Sequence, residues 1–290
     1  MKRKIKAILY QLLRGIFDLL SVPFGNVLVF LLPKKARQLS KNGLTVVVNN
    51  NMSIPERFMR AAIFKKLEKR QDYNTIAKLH QSYWANKGTE WLSQSEDLFK
   101  TDFLPNCTFI FDLLKKELSN QSEEFNTLVE IGTGNGAVLN YLSSEFPKIN
   151  HFVGLDLSPV QIEINNKKFS NNNRLEFVTS DGFEWVKEHG HDNTIFVTSG
   201  GVLEYFTELR LQDFLRQINA LGKTIFVAIE PNSTKHNFET NPNSQVYGRE
   251  WAFSHNYPKL FKDTGFSVWH FSQKHWAEGT NIQTFIGAKN

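Results

Sequence analysis

The sequence predicts an α/β protein built on a mostly parallel seven-stranded sheet, preceded by a helical region. Three observations carry this. From Thr127 onward, short and nearly continuous apolar runs alternate with helical segments, the pattern of strands buried on both faces. The first of these runs enters a turn with glycine at every second position. The last two runs are separated by Gly279-Thr280-Asn281 and are expected to pair antiparallel at the end of the sheet.

The elements follow in order. Residues 5–20 place Ile5, Ile8, Leu9, Leu12, Leu13, Ile16, Phe17, Leu19 and Leu20 at spacings of three and four, which is helical periodicity with a wide apolar face. Lys2, Arg3, Lys4, Lys6 and Arg14 add positive charge. After Pro23 and Gly25 a second apolar run, Val27 to Leu32, ends at Pro33-Lys34-Lys35-Ala36-Arg37. The window from Ile16 to Leu32 is short for a membrane span, is interrupted by Asp18, Pro23, Gly25 and Asn26, and is basic on both flanks. Residues 1–41 therefore read first as a segment that lies on an anionic inner leaflet, a peripheral or monotopic contact, with a helical cap packed on the body of the protein or a true span as the alternatives. Residues 42–118 read as a helical cap region, with Trp84 and Trp91 inside it and a break at Pro105. Its basic stretch Arg57 to Arg70 is either an extension of the membrane face or one solvated side of a helix.

Residues 119–290 form the α/β domain. Candidate strands are Thr127–Ile131, His151–Leu155, Leu175–Val178, Thr194–Thr198, Thr224–Ile229, Phe266–Phe271 and Ile282–Ala288. Helices are expected near 137–146, 159–169, 183–188, 207–221 and 257–264, with a long insertion, 231–256, on the substrate side.

Charge divides the chain unevenly. Of its 290 residues, the first 70 hold 15 Lys and Arg against 3 Asp and Glu, and the rest hold 19 against 26. The net charge of +5 is thus a property of an apolar N-terminal quarter, and the body of the protein does not read as a nucleic-acid binder. A single cysteine, Cys107, excludes a disulfide framework or a cysteine-rich zinc site. No metal is expected, and the reducing cytoplasm is the expected compartment.

The chemistry gathers at strand ends. Leu128-Val129-Glu130-Ile131-Gly132-Thr133-Gly134-Asn135-Gly136 runs from strand into helix, and its glycines remove side chains where a ligand must touch backbone. Gly132-x-Gly134-x-x-Ala137 also fits a dinucleotide pattern, which keeps an NAD-dependent oxidoreductase as an alternative. The second strand ends in Asp156, 20 residues past Gly136, where a carboxylate can accept both hydroxyls of a ribose. The third ends in Thr179-Ser180-Asp181-Gly182, suited to an adenine amine, and the fourth in Thr198-Ser199-Gly200-Gly201-Val202-Leu203-Glu204-Tyr205. Open α/β sheets bind ligands at this carboxyl edge.

The motifs VEIGTGNG, GLDLS, FVTSDG, TSGGVLEYF and VAIEP, in that order over residues 127–290, resemble the class I S-adenosylmethionine-dependent methyltransferases. The resemblance implies a Rossmann-like fold and S-adenosylmethionine as cofactor. It implies that Gly132, Thr133, Gly134 and Gly136 approach the cofactor's methionine portion, with Glu130 orienting the loop or meeting the amino group. Asp156 would hold the ribose and Leu157 pack on the adenine; Ser180, Asp181 and Gly182 would border the adenine edge; Ser199, Gly200 and Val202 would line the floor near the sulfonium. The Asn/Asp-Pro-Pro-Tyr/Phe motif of many nucleobase-methylating members is replaced here by Ser199-Gly200-Gly201-Val202, which argues against a nucleic-acid acceptor.

A hydroxyl acceptor benefits from a general base, and the candidates are Glu204, His236 and His255, with Tyr205 and Glu230 nearby. The aromatic and polar insertion (Phe238, Tyr247, Arg249, Trp251, Phe253) suits a hydroxyl-rich ligand. The expected acceptor is a small molecule, glycan or lipid-linked sugar near the inner membrane surface. A non-catalytic, membrane-associated cofactor-binding subunit is the other alternative.

Overall fold

The computed structural model describes residues 19–45, 52–94, 97–120, 124–276 and 281–290. The N-terminal helix expected over 5–20 lies almost wholly outside these, as do Val46-Val47-Val48 and the turn at Gly279-Thr280. The chain forms two compact units, Met1–Tyr83 and Trp84–Asn290. The division between Tyr83 and Trp84 lies inside one long helix.

In the first unit helix α1 (Leu19–Leu31) runs through Pro23 and Gly25, where the sequence suggested an interruption. The break comes instead at Leu32, before α2 (Pro33–Lys41), and the two axes differ by 108°. Proline at the start of α2 cannot continue the ladder of α1. Helix α3 (Ile54–Lys69) opens with a capping box in which the Ser53 N–H donates to Glu56 Oε2 at 2.8 Å. Gly25 lets α1 approach α3: a Cβ there would lie 2.0 Å from the Phe58 carbonyl oxygen. Arg60, expected on a basic face, is instead buried and donates through Nε to the Leu44 carbonyl at 2.5 Å, its guanidinium over the Phe64 ring. Lys66, Lys69 and Arg70 of the same stretch are exposed. Helix α4 (Tyr73–Gln94) leads into the second unit.

That unit begins with a π-helical turn (Phe99–Phe103), α5 (Leu104–Cys107) and α6 (Phe109–Ser119). Strands β1 (Thr127–Ile131), β2 (His151–Asp156), β3 (Leu175–Thr179), β4 (Thr194–Thr198) and β5 (Thr224–Ser233) are parallel. They alternate with α7 (Ala137–Glu145), α8 (Pro159–Lys168), α9 (Gly182–His189) and α10 (Glu208–Asn219). After a two-stranded hairpin, β6 (Gln245–Tyr247) and β7 (Ala252–Ser254), and α11 (Tyr257–Asp263), the sheet closes with β8 (Ser267–Trp276) and β9 (Asn281–Lys289). The order is β3-β2-β1-β4-β5-β9-β8, seven strands, with β9 antiparallel to both neighbours.

Both faces are apolar for a simple reason. Strand residues alternate sides, so Val129, Ile131 and Phe196 join one core with α9, α10 and α11, while Leu128, Ile195 and Val197 join the other with α6, α7 and α8. The order reverses between β1 and β4, which opens a crevice at their carboxyl ends. The insertion 231–256 is more ordered than a loop. β5 continues through Pro231 to Ser233, because its pairing with β4 ends at Ala228 and Pro231 has only β9 beside it.

Candidate functional site

The carboxyl edge of β1 sets the site. Gly132, Gly134 and Gly136 all have positive φ (70°, 52° and 72°), a conformation that costs any residue with a Cβ. The loop is tied to the end of β2. The Thr133 N–H donates to the Leu155 carbonyl at 2.8 Å, and the Gly134 N–H to Asp156 Oδ2 at 3.0 Å. The other carboxylate oxygen of Asp156 accepts the Ser158 N–H at 2.9 Å. Burial pushes the Asp156 carboxyl up to about 6, against the pull of these N–H groups.

Glu130 is wholly buried beneath the loop. It accepts a hydrogen bond from Thr133 Oγ1 at 2.7 Å and one from Ser199 Oγ at 2.5 Å, so it clamps the first loop to the end of β4. Its carboxyl is pushed up to about 7 by burial. Of the two expected roles, orientation of the loop is the one this geometry serves.

The third strand end is braced in a way the sequence did not signal. Asp181 caps α9 by accepting the Phe183 N–H at 2.9 Å, and it also accepts Arg210 Nη2 at 2.8 Å. The Arg210 guanidinium lies 4.9 Å from the Phe183 ring centre and 5.3 Å from that of Phe206. Arg210 is 29 positions from Asp181, on a helix whose register no local motif reveals. Gly182 is buried against Ile131, and Ser180 donates to the Asp181 carbonyl. Leu157 is half-buried beside Asp156.

At the end of β4, Val202 presses on Gly132: a Cβ at Gly132 would lie 2.4 Å from Val202 Cγ2. A Cβ at Gly200 would meet nothing within 4 Å among the described residues. Glu230, from β5, accepts the Val202 and Leu203 N–H groups at 3.0 Å each and so holds this turn. Glu204 is buried and accepts the Tyr247 hydroxyl at 2.7 Å, while the Tyr205 hydroxyl donates to Glu250 at 3.1 Å. Burial first, then the Glu250 and Glu230 charges, raise Glu204 well above the usual carboxylate range.

The second half of α4 covers this edge. Leu92 lies 3.0 Å from where a Gly134 Cβ would be, and Thr89 shares a hydrogen bond with Ser158 at 3.0 Å. Trp84 packs on Tyr205 and Trp91, with ring centres 5.8 and 5.9 Å apart. The two histidines are placed differently from the expectation of a base. His236 donates through Nε2 to the Asn241 carbonyl and pairs through Nδ1 with Ser254. His255, fully buried, donates to the Leu203 carbonyl and pairs with Ser244, and burial lowers it to about 4. With both ring nitrogens of each engaged, they tie the insertion to itself and, through Leu203, to the turn after β4.

The arrangement fits an adenosine-bearing cofactor. The positive-φ loop offers backbone along this edge, Gly200 leaves space at the next strand end, and Asp156 stands beside the loop. Residues 128–224 match the family profile described as a methyltransferase domain. Residues 128–224 are a methyltransferase domain. The match sets aside the dinucleotide reading of Gly132-x-Gly134-x-x-Ala137, and S-adenosylmethionine is the methyltransferase's cofactor. Among solved structures, magnesium protoporphyrin IX methyltransferase from Synechocystis PCC 6803 with bound S-adenosylhomocysteine aligns at 14% identity, covering 74% of this chain and 99% of that one, with a TM-score of 0.51. A SAM-dependent methyltransferase from Aquifex aeolicus aligns at 15% identity over 69% and 97% (TM-score 0.49), and the N-methyltransferase NodS from Bradyrhizobium japonicum WM9 at 14% over 70% and 97% (TM-score 0.49). The first of these is a likeness of fold. No curated protein matches the methyltransferase's sequence at a significant level.

Cofactor binding by the methyltransferase will depend on pH through Asp156. The ionised carboxylate is the better acceptor for ribose hydroxyls, so a bound nucleoside favours ionisation. With the free group near 6, affinity for S-adenosylhomocysteine is expected to be constant above pH 7. It falls as pH drops below about 6, approaching tenfold per unit. Calorimetric titration at pH 7.5 and pH 5 checks this; equal affinities would contradict it.

Proposed function

We propose that the enzyme methylates a hydroxyl group of a small polar acceptor, a glycan or lipid-linked sugar, at the inner surface of a membrane. The observation that carries the chemical half is Glu204. It is a buried carboxyl at the end of β4, two residues past Val202, which packs on the glycine loop, and it is bonded to Tyr247 of the insertion.

Bound S-adenosylmethionine supplies an electrophilic methyl group on a sulfonium. The chain's residues do the rest. Gly132, Gly134 and Gly136 present bare backbone, and Asp156 orients the ribose. Glu130 keeps the β1 and β4 loops in register. Leu92 and the Trp84–Trp91 pair shield the edge from water, which favours alignment of donor and acceptor. Glu204 takes the acceptor's proton, and Tyr247 fixes its carboxylate.

The membrane half draws support from the first unit. Among the described residues no single helix is long and apolar enough to cross a bilayer, but α1 and α2 form one bent pair that passes on length and composition together. Leu19, Phe24, Val27, Phe30 and Leu31 of α1 are exposed, Phe30 at 82%, and α2 follows with Lys34, Lys35, Arg37 and Lys41. An exposed apolar stripe beside a basic helix suits an anionic leaflet. The full chain is expected to co-sediment with vesicles containing phosphatidylglycerol, and Phe30→Asp with Leu31→Asp is expected to abolish this. Wild-type protein that stays in the supernatant would sink the membrane half and leave the methyl-transfer half standing.

A further inference from the structure

The acceptor side of the site has more acid than a single base requires. Glu204 and Glu230 are both buried, and among the described residues no lysine or arginine pairs with either. Their partners are neutral donors: the Tyr247 hydroxyl for Glu204, and the Val202 and Leu203 N–H groups for Glu230. Glu250, hydrogen-bonded by Tyr205, adds a third carboxylate within electrostatic reach of Glu204.

Tyr257 is a second and independent observation. It is wholly buried, and among the described residues its hydroxyl has no hydrogen-bond partner. Glu230, Glu204 and Tyr247 lie within electrostatic reach of the phenol, and their charges add to burial in holding its proton. A buried hydroxyl left unbonded costs free energy unless something else meets it. Aromatic surface borders the same cluster, with Tyr205 against Trp84.

The chemistry of these groups selects the ligand. Carboxylates and phenol oxygens accept hydrogen bonds, and an ammonium carries three donors and no acceptor. Aromatic faces attract such a cation further. A divalent metal ion fits less well, since among the described residues no three acidic, histidine or cysteine side chains converge as ligands. We propose that the cluster of Glu204, Glu230 and Tyr257, walled by Tyr205, Tyr247 and Trp84, takes a protonated amine, and that the acceptor is therefore an amino-bearing hydroxyl compound. This rests on the reading of the β4 edge as the acceptor side of a methyltransferase.

The test uses the full chain saturated with S-adenosylhomocysteine and three sugars that differ at one carbon: D-glucosamine, N-acetyl-D-glucosamine and D-glucose. Calorimetry is expected to show glucosamine binding at least tenfold more tightly than either neutral sugar. Glu230→Gln should erase that preference. Tyr257→Phe, which removes only an unbonded hydroxyl and leaves the core packing intact, should weaken glucosamine severalfold and leave glucose unchanged. Equal affinity for the three sugars, no binding of any of them to the cofactor-loaded protein, or a preference that survives both substitutions would overturn the proposal. Failure of S-adenosylhomocysteine itself to bind would instead overturn the methyltransferase reading on which it rests.

Discussion

Glu204→Gln is expected to lower kcat by about 10²- to 10⁴-fold while leaving affinity for S-adenosylhomocysteine within about twofold. The size follows from what a positioned general base contributes. Glutamine keeps the volume and can still accept the Tyr247 hydroxyl, so the insertion stays in place and only the proton acceptor is lost. The same residue sets the pH profile. Burial and the neighbouring Glu250 and Glu230 charges raise the Glu204 carboxyl, so the ionised form that serves as base gains as pH rises. The wild-type rate should therefore climb as pH rises and the group ionises, whereas the slower Gln variant should show a flat profile over the same range. Measured kcat and KM for both proteins between pH 6 and 9.5, with a radiolabelled methyl group and a membrane extract as acceptor, decide it. A Gln variant with wild-type kcat would remove Glu204 from the reaction.

Asp156→Ala is expected to raise the dissociation constant for S-adenosylhomocysteine by about 10²- to 10⁴-fold. Hydrogen bonds to a charged acceptor contribute about 1.5–3 kcal/mol each. Two from a ribose give about 3–6 kcal/mol, which is that range in affinity. The carboxylate also organises its surroundings, since it holds the Gly134 and Ser158 N–H groups and so fixes the glycine loop against β2. Alanine leaves both N–H groups to solvent. The fold should survive, because the substitution also removes a carboxyl whose charge burial disfavours. Circular dichroism melts beside the calorimetry separate a binding defect from unfolding. A variant that binds as tightly as wild type would contradict the assignment of Asp156 to the ribose.

Much of the fold is legible in the chain because its cause is local. Nearly continuous apolar runs such as Leu128–Ile131 and Thr194–Val197 must be buried on both faces, and glycines at 132, 134 and 136 announce a turn that only residues without a Cβ adopt cheaply. The antiparallel final pair is announced by the short Gly279-Thr280-Asn281 connection, whereas the strand order comes only from the structure. What the sequence does not reveal depends on distant partners. Arg60 belongs by composition to a basic stripe, yet a carbonyl 16 residues away draws it inside. Arg210 braces Asp181 across 29 residues, and Leu92 meets Gly134 across 42. His236 and His255 look like bases as residue types, and only the three-dimensional structure shows their nitrogens committed to Ser254, Asn241, Ser244 and Leu203. Pro231 is a break by propensity, but an edge with one neighbour tolerates it.

The central claim is that the carboxyl edge of the sheet is built for an S-adenosyl cofactor. Isothermal titration of the purified wild-type chain with S-adenosylhomocysteine, and separately with NAD, tests it most directly. The account predicts one saturable site per chain for S-adenosylhomocysteine, in the micromolar range, and no heat from NAD. A silent titration with S-adenosylhomocysteine, or comparable binding of NAD, would contradict it.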